Sequence, residues 1–389
     1  MLRFWIIVAA VLVAVMGLSA WSLGAVLPAR YLARGRTIVA LLDVLSLALF
    51  FGLIRWHGGI PEVFLRTGVI VFSIYWMAKL VLMVLVGIGC ALRGLYRFVV
   101  PDDSILPVDA ERRRLLKGAA ALPAVAVASG VYGGTKGRTD LAVREFSVPV
   151  PGIDGALDGF RIAQLSDIHL GLFFSLEEWR ALLEQTAATG ADALAVTGDL
   201  FDDNDMNAEA AKILDEFVPR FPKGIWFCYG NHEYFRNIEA TNEALAKTRI
   251  HVLKDESALV TDGTRPLWFL GVDYPRSRSV FKLDGKKSLE AAMQGVPGNA
   301  VKVLLAHHPD FFDSAAVHGV ELALAGHTHG GQLGLFGMPV VPPVFKYMRG
   351  VYHIDKTFGY VHCGNGSWFP YRLGCPPEIA VFRLQKNET

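Results

Sequence analysis

The chain has 389 residues, of which 52% are hydrophobic and 19% charged, and its mean hydropathy is +0.35. The formal net charge of +1 hides a split: residues 1–134 carry 13 Lys+Arg against 6 Asp+Glu, while the remainder carries 25 against 31 and holds ten of the 11 histidines. These figures exclude a disordered chain, a single small domain and a nucleic-acid binder recognised by its charge; they point to a basic, apolar front part and an acidic, histidine-bearing globular part.

The front part reads as membrane-embedded. Residues 4–27 contain no charge, and about 24 residues at 1.5 Å each cross a hydrocarbon core of roughly 30 Å. A second span is expected at 38–54, interrupted only by Asp43, and a third at 68–92, containing only Lys79. Charges at bilayer depth are costly, so Asp43 and Lys79 either pair with each other or face a partner subunit. Residues 93–134 form a basic linker. Within it, Glu111–Lys117 (ERRRLLK) resembles a twin-arginine export signal, or else a basic patch that holds lipid headgroups, and the apolar run after Gly118 is a candidate fourth span.

Positive-inside counting sets nine basic residues (Arg30, Arg34, Arg36, Arg93, Arg97, Arg112, Arg113, Arg114 and Lys117) against Arg3, Arg55 and Arg66. The bias places the linker in the cytoplasm. If the fourth run crosses, the large domain lies outside the cytoplasm, which is the favoured reading; if not, it is cytosolic. The expectation is therefore a multi-pass protein of the cell (inner) membrane.

From residue 135 to 389 the pattern is α/β. Strands are expected at 142–148, 160–165, 193–196, 225–229, 267–272, 301–306, 322–325 and 378–384, and helices at 176–188, 208–218, 238–247 and 309–317. Four cysteines make no disulfide framework. Cys90 falls in a span and Cys228 in a buried strand; for Cys363 and Cys375, one disulfide and two buried thiols fit equally.

Five of the apolar strands close on polar turns: Ser166-Asp167-Ile-His169, Gly198-Asp199, Gly230-Asn231-His232-Glu233, His307-His308 and Gly326-His327-Thr328-His329-Gly330-Gly331. Ligands of open α/β sheets collect beyond the carboxyl ends of strands, so these turns can converge on one site. Carboxylate oxygen and neutral imidazole suit divalent transition ions, and seven such groups are too many for one ion with a water still to bind. They suit two ions sharing a carboxylate, the arrangement of metal-assisted hydrolysis. His327 and His329 alternate and would face opposite ways on a regular strand, so a turn is required there.

This order of blocks resembles the calcineurin-like metallophosphoesterase family, over about residues 140–384. The pattern of that family runs DxH, GD, GNH[ED], a single His, then GHxH, and all five blocks are present. The segments Gly326–Gln332 (GHTHGGQ) and Arg372–Glu378 (RLGCPPE) are most similar to its bacterial membrane-associated or exported branch. The resemblance implies a two-sheet α/β sandwich preceded by three to four transmembrane helices. It implies two divalent ions (Mn, Fe, Zn, Ni or Co), one held by Asp167, His169 and His329, the other by Asn231, His307 and His327, with Asp199 bridging. It further implies hydroxide attack on phosphorus from between the ions, with Asn231 and His232 contacting the phosphate and His232 protonating the leaving group. The partners expected are a phosphoester, lipid- or nucleotide-linked (a UDP-sugar lipid is one example), and the membrane, with no nucleic acid bound. A non-enzymatic membrane sensor or scaffold is the alternative.

Several residues carry two readings. His308 is a helix-entry residue or supports the site. Glu233 orients His232 or caps a turn. Asp202, Asp203 and Asp205 resemble a calcium loop, but the spacing lacks its Gly and distal Glu, so a solvated acidic turn is the favoured reading. His353 and His362, on late strands, read as core histidines in preference to ligands. Tyr371 and Arg372 reach a phosphate or pack. Phe173, Phe174 and Trp179 roof the core or form an apolar lip.

Overall fold

The computed structural model describes residues 2–99, 108–153, 155–275, 281–335, 338–340, 345–367 and 369–387. The chain divides into two compact units, residues 1–136 with 369–371, and residues 137–368 with 372–389.

The first unit is helical: α1 (Leu2–Val26), α2 (Ala29–Arg55), α3 (Glu62–Val99) and α4 (Val108–Gly134). Among the described residues only two segments are long and apolar enough to cross a membrane, Ala29–Leu53 and Glu62–Tyr96, rather than the three to four expected. The expected first span lies in α1, whose side chains at 2–9 are outside the described residues; the apolar stretch that remains, Leu12–Gly24, is too short to cross. The expected fourth span is not a separate element. It is the second half of α4, which also carries the arginine-rich segment and contains Pro123. The side chains of 108–120 lie outside the described residues. A Cβ on Gly130 of α4 would come within 2.9 Å of Ala78 Cβ and of the Ile74 carbonyl, so this glycine lets α4 approach α3.

Asp43 and Lys79 do pair. Lys79 Nζ donates to Asp43 Oδ1 at 2.5 Å, the Tyr75 hydroxyl donates to the same oxygen at 2.6 Å, and Lys79 lies 4.5 Å from the Trp76 ring centre.

The second unit is a sandwich of two six-stranded mixed sheets. One has the order β1 (Ala142–Pro151), β14 (Glu378–Asn387), β2 (Arg161–Leu165), β3 (Ala193–Thr197), β4 (Ile225–Cys228), β5 (His251–Val252). The other runs β12 (Gly350–Ile354), β13 (Thr357–Val361), β9 (Leu322–Ala325), β8 (Val301–Leu305), β7 (Leu267–Gly271), β6 (Glu256–Thr261). A short hairpin, β10 (Gly334–Leu335) with β11 (Met338–Pro339), stands apart from both.

The central strands are apolar on both faces because both are covered. In β3, Ala193 and Ala195 join the core between the sheets, with Trp226, Phe269, Leu324 and Phe382. Leu194 and Val196 face outward onto Trp179 and Leu183 of α5 (Leu176–Ala187) and Leu214 of α6 (Asn207–Glu216). Leu304 of β8 and Ala323 of β9 likewise pack on Phe311 and Phe312 of α10 (Phe311–Val317). Two-residue alternation thus produces four layers.

Strands β2, β3 and β4 are parallel in one sheet, and β8 and β9 are parallel in the other. These five strands precede the five polar turns. The edge elements β5, β6, β10, β11 and the helix α7 (Asn231–Phe235) were not expected from the sequence; all are short or half-exposed, so hydrophobic periodicity does not mark them.

Candidate metal centre

Each turn places its polar side chain by leaving regular geometry. Asp167, His169, Asp199, His327 and His329 all have left-handed backbone, with φ of 52°, 51°, 53°, 71° and 50°. Side-chain-bearing residues adopt this region at a cost and only where the surroundings enforce it, and such positions cluster at functional sites. The two left-handed histidines are the turn that the His-Thr-His spacing requires. Between them the Thr328 hydroxyl donates to the Met348 carbonyl at 2.6 Å. Close approach needs glycine at several points, Gly198 and Gly326 among them. A Cβ on Gly198 would lie 2.6 Å from Gly230 N and 2.7 Å from His307 Nδ1, and one on Gly326 would collide with Ser166 Oγ and Asp167 Oδ2.

The sequence-expected ligands come together. Asp167, His169 and His329 place donor atoms within 4.8 Å of one another, as do Asp199, His307 and His327. Asn231 Oδ1 lies 2.8 Å from His327 Nδ1 and 3.1 Å from His307 Nε2. Asp199 Oδ2 lies 3.1 Å from His307 Nε2 and 3.8 Å from His169 Nε2, between the two groups. His232 also falls within reach of His169 and Asp199, and its Nδ1 is 2.8 Å from Asp202 Oδ1.

The donor set fits divalent cations. Nε2 of His169 and Nε2 of His329 face each other at 3.0 Å; one proton at most can lie between them, whereas a cation near both uses both lone pairs. Burial, the neighbouring His169 and the Arg372 charge hold His329 well below its ordinary value, so it is the neutral ligand form. Burial opposes the charge on Asp199, but His307, His169 and His232 overcome it and hold the carboxyl well below the carboxylate range. Burial likewise opposes charge on His307, yet the Asp199 contact pushes it up to about 10. For His232, burial is outweighed by Asp202 and Asp199, which raise it.

Asp202 is not part of a solvated turn. It accepts from Arg236 Nε at 2.7 Å as well as pairing with His232. The signal that could have found it is its position three residues after Asp199, at the end of the same strand–turn. Glu233 caps α7 through Gly230 N at 2.7 Å, and it also accepts from Asp199 N, Leu200 N and Phe201 N at 3.0, 2.8 and 3.1 Å. It therefore holds the Asp199 turn and does not contact the His232 ring.

Arg372 is fully buried and donates to the carbonyls of Cys363, Cys375 and Gly366, so it braces the loop after β13 and does not reach the cleft. That loop in turn supports Asp167: Gly366 N donates to the Asp167 carbonyl and Ser166 N to Asn365 Oδ1, each at 3.0 Å. Tyr371 belongs to the helical unit, where its hydroxyl donates to the Ser129 carbonyl at 3.0 Å. His308 fills both roles: it accepts from Asp310 N at 3.2 Å at the helix entry, and its ring lies 4.6 Å, centre to centre, from that of His327. His362 is buried, while His353 is exposed on the edge strand β12. Trp179 is core, Phe174 packs on the core, and Phe173 lines a cleft of about 460 Å³ beside His169, Asp202, Asp203, Asp205 and Arg236. Cys363 and Cys375 are buried free thiols.

The family model of the calcineurin-like phosphoesterases matches residues 160–331, the segment from β2 through the last pair of histidines. The matched segment is a calcineurin-like phosphoesterase domain. A metallophosphoesterase of Bacillus subtilis, YkuE, is 29% identical over 292 residues, covering 71% of this chain and 98% of that protein. A transmembrane protein with metallophosphoesterase domain from Danio rerio is 28% identical over 266 residues, 66% of this chain and 60% of the relative. A Helicobacter pylori metallophosphoesterase is 30% identical over 236 residues, 59% of this chain and 60% of the relative. The chain thus spans nearly all of the Bacillus protein and about three-fifths of the other two.

Proposed function

We propose that this phosphoesterase hydrolyses a phosphoester at a centre of two divalent cations, and that its amino-terminal helices anchor it in a membrane. The observation that carries the reading is the Asp199 carboxylate, which lies within reach of His169 on one side and of His307 and His327 on the other. One cation is assigned to Asp167, His169 and His329, the other to Asn231, His307 and His327, with Asp199 shared. A mixed nitrogen and oxygen set admits Mn, Fe, Zn, Ni or Co. When bound, such a pair supplies water acidified to neutral pH and neutralises phosphoryl oxygens.

The chain does the rest. Asn231 and His232 lie where a phosphate would contact both. Asp202 holds the His232 ring by one nitrogen and favours its charged form, leaving the other nitrogen to pass a proton to the departing oxygen. Residues 135–389 are assigned to catalysis and 1–134 to anchoring. The positive-inside bias supports a cytoplasmic linker; the catalytic domain then lies outside the cytoplasm if residues 118–133 cross and inside it if they do not, and a reporter fused after residue 389 tests that side. A lipid- or nucleotide-linked phosphoester, such as a UDP-sugar lipid, is the substrate class this location favours.

The test compares Asp199→Asn with His232→Ala on a chromogenic phosphodiester and monoester with Mn²⁺, alongside metal analysis. Asp199→Asn is expected to lose metal and most turnover. His232→Ala is expected to keep its metal and lose about 10²-fold or more in rate. Full metal content and turnover in Asp199→Asn sink the shared-carboxylate reading. Metal bound without turnover on any phosphoester favours a scaffold that retained the fold.

A further inference from the structure

A second cleft, of about 330 Å³, is walled by Tyr234, Phe235, Ile238 and Tyr274, with one charged residue, Glu239, in its lining. Its rings border the assigned site directly. Tyr274 lies 5.8 and 5.9 Å, centre to centre, from His327 and His307, and Phe235 lies 5.7 Å from His232. Phe235 is 70% exposed, so it adds little to the stability of the fold, yet it sits in the short helix that carries Asn231 and His232. The walls are fixed in advance: Asp273 Oδ1 accepts both the Tyr234 hydroxyl at 2.5 Å and the Tyr274 N–H at 2.8 Å. The cleft beside His169 presents four charged residues, Asp202, Asp203, Asp205 and Arg236, against the single Glu239 here. An apolar ring placed there would desolvate charged groups.

We propose that the Tyr234–Phe235–Tyr274 cleft is a substrate subsite for a planar aromatic group, a nucleobase or aryl ring, carried on the phosphoester. Aromatic walls hold a flat ring by stacking and edge contacts as well as by area. The cleft has room for one ring and its linker and not for a pair of acyl chains. The inference rests on the hydrolase reading for where the phosphorus lies, and it selects the nucleotide-like branch of that reading over the lipid-like one.

The test is calorimetric titration of the full chain in detergent, loaded with Mn²⁺, with phenylphosphonate, methylphosphonate and hexylphosphonate, none of which has a P–O–C bond to hydrolyse. Phenylphosphonate is expected to bind about ten-fold tighter than methylphosphonate. That ratio is expected to fall toward one in Phe235→Ala, and Phe235→Leu, which keeps apolar bulk, is expected to lose it too. Phe235 is exposed, so both variants fold. Equal binding of phenyl and methyl compounds, no binding of either, an unchanged ratio in the variants, or tighter binding of hexylphosphonate than of phenylphosphonate each overturns the proposal. Turnover of a chromogenic phosphodiester by the same sample separates the two readings: turnover with no phenyl preference removes only the subsite, and phenyl preference without turnover removes only the hydrolase.

Discussion

Glu233 keeps a carboxylate in a fully buried place and offers it to four backbone N–H groups, those of Asp199, Leu200, Phe201 and Gly230. The turn it holds has a left-handed Asp199 at its centre. Glu233 thereby sustains the strained backbone that aims the shared carboxylate. Glu233→Gln puts an amide NH₂ against those donors. It is expected to lower stability by about 1–3 kcal/mol in urea unfolding and to weaken metal retention; unchanged stability would show that the turn stands without it. Residues such as Asp167, His169 and His307 were legible because each directly follows an apolar strand. The roles of Asp202 and Glu233 were not, because they depend on contacts with residues some thirty positions away.

At the scale of elements, two ionic contacts with buried carboxylates fasten neighbours. In the helical unit Asp43 of α2 and Lys79 of α3 are both buried and joined. Asp43→Asn strands the lysine. It is expected to cost about 3–5 kcal/mol, seen as a lower melting temperature in detergent and recovered in Asp43→Asn/Lys79→Met.

In the sandwich, Glu378 at the start of β14 accepts from the Tyr360 hydroxyl at 2.8 Å and Cys363 N at 2.9 Å, and pairs with Arg144 of β1. Burial works to raise Glu378, but His362, the Cys363 N–H, Tyr360 and Arg144 outweigh it and hold it below its ordinary value. A depressed folded value means that its stabilisation is present above the unfolded carboxyl range, near pH 4.3, and is lost as pH falls through the folded value. Glu378→Gln is therefore expected to be about 2 kcal/mol less stable at pH 7. The gap should close as the pH is lowered below about 4, as read by chemical denaturation across pH.

At the scale of the whole molecule, the site joins both sheets: β2, β3 and β4 bring Asp167, His169, Asp199 and Asn231, while β8 and β9 bring His307, His327 and His329. Cations bound between two sheets stabilise the folded chain by mass action. Chelation is expected to lower the melting temperature of the wild type by several degrees and that of Asp199→Asn much less, checked by calorimetry with and without EDTA. Equal shifts would place the metal elsewhere.

The sequence by itself determined the α/β class, the five strands that end in polar turns and the residue types at those turns, because strand burial and ligand chemistry are local properties written in residue order. Among the described residues it implied more spanning helices than the two found, because apolar runs show length but not whether a run is the tail of a longer charged helix, as in α4. Only the tertiary structure decided that Asp43 meets Lys79, that Asp202 holds His232 and that Arg372 braces the loop after β13 instead of reaching into the cleft. Those outcomes are set by distances between residues far apart in the chain, and packing alone fixes such distances.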